Sequence, residues 1–133
     1  MTTATDLYLA KARELLVQAE AMLGIGLHEA AGRTAYLAGF HAAQALIFAR
    51  AGEVLKSHHG VHTELLRLTK DDQRVDPVLR IFLSQTYNLK SIADYETGPG
   101  ARISAERATT AVATGHRFVA LMTTLITAGA GGS

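Results

Sequence analysis

The stretch VLKSHHGVHTELLRL, Val54 to Leu68, places His58, His59 and His62 within five residues, just after Lys56 and Ser57. Residues four apart share a helical face, so His58 and His62 could grip one metal ion, with Asp94 or His41 completing the set. No glutamate stands between them in the H-E-x-x-H arrangement of zinc proteases, and the chain has no cysteine to supply a thiolate. The plainer reading is preferred: Ser57 caps an exposed helix start, His62 faces solvent, and no metal or other cofactor is required.

Other chemistry-bearing segments are fewer. GIGLHEAAG contains G-x-G but follows a helix and lacks the lysine of a phosphate loop, and no G-x-S-x-G elbow occurs. In NLKSIADYETG, Lys90 and Asp94 stand four apart with Tyr95 beside them. By itself this is an ordinary helical ion pair worth a few tenths of a kcal/mol. AAGRTAYLAGFHAAQ sets Arg33, Tyr36 and Phe40 on neighbouring turns, a core stripe from which Arg33 would snorkel to the surface.

The elements that must position these residues are helical almost throughout. Apolar residues recur at three- and four-residue steps from Tyr8 to Leu23, and a second helix is expected from about Leu27 to Ala51, ended by Gly52. Its broad apolar and small-residue surface marks it as central. Ser57 opens a short third helix carrying Val61, Leu65 and Leu68 inward. Asp76 and Pro77 start a fourth, as N-cap and first helical residue. ETGPGAR breaks the fourth, and a fifth helix follows from about Ser104. The expected fold is all-α: an up-and-down bundle of four long helices and one short one. Residues 1–128 would form one domain, with 129–133 a flexible tail.

Bulk properties narrow the function. With 133 residues, 48% hydrophobic and 19% charged, the chain reads as globular. A net charge of +1 without a basic run carries no signature of tight nucleic-acid binding, though a local patch would not register in it. The first residues lack the long apolar core of a signal peptide, and no stretch of about 18 uncharged apolar residues offers a membrane span. The expected compartment is the cytoplasm.

Taken together, an arginine followed by AYLAGFHAAQALI, then KSHHGV, then ADY resembles the HEPN domain family, in its small stand-alone branch with A-Y-x-x-x-F-H-A-A, K-[ST]-H-x-G and R-x-x-A-D-Y. The resemblance spans roughly Leu7 to Ile126. It implies a helical bundle, a homodimer, and association with RNA, a nucleotide or a nucleotidyltransferase-type protein in toxin–antitoxin or stress-defence settings. Many members are metal-independent ribonucleases, in which a histidine follows an arginine after four to six residues. Histidine would move the 2′-hydroxyl proton and arginine would neutralise the phosphorane.

This chain departs from that spacing. Seven residues separate Arg33 from His41 and Arg50 from His58, and eight separate Arg107 from His116. Lys90 stands in the arginine's place, with Asp94 and Tyr95 where the histidine would be. Lysine keeps the charge but loses the planar fork. If the third helix starts near the end of the fourth, Lys56, His58, Lys90, Asp94 and Tyr95 would share a polar pocket, where an Asp94–His58 hydrogen bond would raise the imidazole's pKa. Arg33 and Tyr36 join these as ligand-binding candidates. The expectation is a non-catalytic or weakly catalytic binding module. The alternatives are a ribonuclease toxin using His58, Lys90, Asp94 and Tyr95 in altered roles, or a plain scaffold dimer.

Overall fold

The computed structural model describes residues 2–95 and 102–129. They form α1 (Ala4–Gly24), α2 (His28–Ala51), α3 (His58–Thr69), α4 (Pro77–Arg80), α5 (Phe82–Tyr95) and α6 (Ala105–Ala128), with no strand among them.

Local chemistry sets the ends. Thr3 and Asp6 make a reciprocal capping box at the start of α1. Gly52 closes α2 in the left-handed region at φ 69°, its N–H donating to the Phe48 carbonyl at 2.9 Å. Ser57 caps α3 by accepting the Gly60 N–H at 2.9 Å, and Asp76 caps α4 by accepting that of Leu79 at 2.8 Å, with Pro77 behind it. The helix expected after Asp76 comes in two pieces. Ile81, at φ −100° and ψ 4°, leaves helical geometry between α4 and α5. Residues 96–101 of the expected break and 130–133 of the expected tail lie outside the described residues.

The bundle is organised on α2, against which α1, α3, α5 and α6 all pack. Ala31, Ala35, Ala38, Ala42, Ala43 and Ala45 are fully buried, so neighbouring helices approach its backbone closely. The tightest approach is at Gly39, where a Cβ would stand 2.5 Å from the Phe82 ring and 3.1 Å from Leu83. Two turns toward the start of α2, Gly32 faces Leu89. The two helices therefore run antiparallel, with the start of α2 beside the end of α5. Phe82 is wedged from behind by Phe118 of α6, the rings stacked at 4.9 Å.

That wedge leaves no room for a methyl group. Gly39→Ala is expected to cost about 1–3 kcal/mol through overpacking against Phe82. Gly24→Ala, which meets nothing within 4 Å, should be near neutral by comparison. Denaturant unfolding of the two variants checks this.

Candidate functional site

The antiparallel pass of α2 and α5 brings two stripes face to face. Arg33, Tyr36 and Phe40 lie on successive turns of α2, and Tyr87, Lys90 and Asp94 on successive turns of α5. The first turns of α3 cover one end of this seam with His58 and His62, which Ser57's cap fixes on one helical face.

Tyr36 is fully buried, and its hydroxyl is the meeting point of the three helices. It lies 2.7 Å from Nδ1 of His58 and 2.7 Å from Nε2 of His62. Tyr87 packs edge-on against all three rings, with centroids 5.0 Å from His58, 5.8 Å from His62 and 5.4 Å from Tyr36. Phe40 closes the cluster at 5.0 Å from His58.

A phenol has one proton to give and two lone pairs. With both imidazoles neutral, Tyr36 donates to one ring nitrogen and accepts an N–H from the other. Because it meets Nδ1 of His58 and Nε2 of His62, the two rings are locked in the same tautomer, both protonated on Nε2 or both on Nδ1. Protonating the accepting ring would turn both nitrogens into donors and strand the buried phenol proton without an acceptor. The titration shifts agree with this wiring. Burial, then the nearby Lys90 charge, lowers the pKa of His58. Burial, then His58 and His59, lowers that of His62. Burial, reinforced by Tyr87, raises that of Tyr36.

Beyond Tyr87 the seam becomes charged. Lys90 Nζ donates to Asp94 Oδ2 at 2.6 Å, and Arg33 Nε donates to Asp94 Oδ1 at 2.7 Å, so one carboxylate serves cations from two helices. These hydrogen bonds, Lys90's foremost, hold the Asp94 carboxyl below its ordinary range although its partial burial pushes the other way. Lys90 also sits over two rings, 6.0 Å from the Tyr87 centroid and 5.6 Å from that of Tyr95. Tyr95 itself is 75% exposed.

Three comparisons with known proteins bear on this arrangement. The family model for the HEPN domain matches residues 5–125. The chain belongs to the HEPN domain family. A solved structure described as TT1696 from Thermus thermophilus superposes with a TM-score of 0.77 at 23% identity, covering 92% of this chain and 98% of its own. At that identity the likeness speaks for the fold. A search of the curated proteins returns no match.

Within this HEPN bundle, the geometry corrects the sequence reading in three places. Asp94 does not orient His58: its oxygens go to Lys90 and Arg33, while His58 turns Nδ1 to Tyr36. The His58 pKa accordingly moves down, not up. His62 does not face solvent but shares the Tyr36 hydroxyl. Arg33 does more than snorkel, since it joins α2 to the end of α5.

His58, Lys90 and Tyr36 line one continuous seam with Arg33, Asp94 and Tyr95, whereas Lys56 is exposed on the connection before α3 with no ion pair among the described residues. Tyr87 is the member that sequence reasoning missed, and His62, though noted beside His58, was assigned to solvent. The signal for Tyr87 was its three-residue step to Lys90. Among the described residues, no group of three or more His, Asp or Glu is placed to hold a metal ion. An open groove of about 480 Å³ between α5 and α6 is lined by other residues, including Gln85, Arg107 and Thr110.

The wiring makes a pH prediction with a definite sign. A histidine whose pKa is lowered in the fold stabilises it fully above the unfolded value, about 6.5. That contribution fades as pH falls through the folded value. The melting temperature should therefore drop from pH 7.5 to pH 5. Tyr36→Phe should cost about 1–2 kcal/mol at pH 7 by removing the shared hydroxyl. Thermal melts of parent and variant across that range measure both.

Proposed function

We propose that this HEPN protein is a non-hydrolytic binding module that holds single-stranded RNA or a nucleotide at the Arg33–Lys90–Tyr95 end of the seam. The observation that carries the reading is Tyr95, an aromatic ring 75% exposed beside the ammonium of Lys90. An exposed ring is a platform for an unpaired base, and cations beside it suit the flanking phosphate. Arg33, with 43% of its side chain exposed, adds a second cation at the same end.

Several features argue against strand cleavage. General acid–base catalysis needs an imidazole free to reach the substrate with a suitable pKa. Both imidazoles of the seam turn one nitrogen to the buried Tyr36 hydroxyl, which supports a structural role for them. Lys90 replaces the arginine expected of a family ribonuclease, and Asp94 adds a negative charge where the histidine would stand. Family membership further supports a homodimer working with a nucleotidyltransferase-type partner in a toxin–antitoxin or stress-defence setting, within the cytoplasm. No described helix is long and apolar enough to cross a membrane.

Fluorescence anisotropy with a labelled RNA octamer, in metal-free buffer, tests the reading. The strand should bind and remain intact on a gel. Tyr95→Ala should weaken binding by about 1–3 kcal/mol, the scale of one stacked base. Cleavage by the parent, lost in a His58→Ala/Lys90→Ala double variant, would replace this reading with the ribonuclease one.

A further inference from the structure

Asp94 lies in the last described turn of α5 and is held by two cations brought from separate helices. Its two oxygens each take one cation, Arg33 at 2.7 Å and Lys90 at 2.6 Å, in the way two oxygens of a phosphate would. Lys90 is the more confined of the pair, with 11% of its side chain exposed beneath Asp94 and the Tyr87 and Tyr95 rings. An ammonium so covered is costly to leave without an anion beside it. An incoming phosphate therefore cannot simply add to the site, because Asp94 occupies the cations and repels it. It must take Asp94's place.

We propose that Asp94 is a built-in substitute for ligand phosphate: it keeps Arg33 and Lys90 paired in the empty site and is displaced when a nucleotide phosphate binds with its base on Tyr95. The proposal rests on the RNA- or nucleotide-binding reading and adds a gate to it. The charges make the exchange close to balanced. Arg33 and Lys90 contribute two positive charges and Asp94 one negative. His58 faces Tyr36, and burial and the nearby Lys90 lower its pKa, which favours its neutral form. Binding is thus weakened in the parent by the two ion pairs that must be broken, and weak phosphates are excluded. The ligand chemistry is a phosphate carrying an adjacent base, which a free nucleotide and an RNA strand share.

The test compares the parent with Asp94→Asn, using AMP and an oligo(A) octamer in turn. The gate predicts that Asp94→Asn binds about three- to tenfold tighter. It also predicts a steeper fall of affinity with salt, because two free cations now meet phosphate. A gain for both ligands assigns the site to a single nucleotide unit, and a gain for the octamer alone assigns it to a strand; either supports the gate. If the parent binds and a folded Asp94→Asn binds no tighter, Asp94 is only a brace between α2 and α5, and the gate is overturned while the binding reading stands. If neither protein binds either ligand, both are overturned.

A measurement on the parent alone guards against a variant that fails to fold. The carboxyl ¹³C shift of Asp94, followed against pH with and without a saturating concentration of whichever ligand binds, reports its partners. Displacement predicts that its depressed pKa rises toward the ordinary aspartate range on binding. An unchanged titration would show that the carboxylate never leaves its cations.

Discussion

A buried hydroxyl that must satisfy two imidazoles is the constraint on which the rest of this site depends. Tyr36 is placed where no water reaches it, so its proton and lone pairs must be used inside the protein. His58 and His62 use them, and in doing so they fix where α3 lies against α2. Tyr87, packed edge-on to all three rings, ties α5 to the same point. From that fixed point Lys90 and Asp94 project one and two turns further along α5, where Arg33 of α2 meets them. The charged end of the seam is positioned by its neutral end.

On the proposed function, this division of labour distinguishes the chain from a family ribonuclease. In such an enzyme the imidazole is the working group and the cation assists it. On the proposed reading the imidazoles, each bonded to Tyr36 through one nitrogen, hold helices together, and the cations with an exposed ring next to them are the groups that meet a ligand. The small residues of α2 make the arrangement feasible. Only with glycine at position 39 can the Phe82 ring of α5 approach closely enough to bring the two stripes into register.

What was legible in the sequence follows from the range of the forces involved. Caps and stops act within a few residues, so Ser57, Asp76 with Pro77, and Gly52 mark helix ends that the structure keeps. The central place of α2 was legible from its breadth of small and apolar residues. The i,i+4 pair of Lys90 and Asp94 was legible for the same local reason. What could not be read was which distant residue completes a local one. Tyr36 lies 26 residues before His62, and Arg33 lies 61 residues before Asp94. Periodicity tells which residues share a helical face but not what that face meets. His62 was therefore assigned to solvent and Asp94 to His58. The break at Ile81 was missed because nothing in the local residue types forbids a continuous helix there.

The shared hydroxyl is most directly tested by the ¹⁵N resonances of the histidine rings at pH 7, which report the protonation of each nitrogen. The account predicts that His58 and His62 are both neutral and oppositely wired. One carries its proton on the nitrogen facing Tyr36, and the other carries its proton on the nitrogen facing away. Finding both Tyr36-facing nitrogens bare, or either ring charged at that pH, would contradict it.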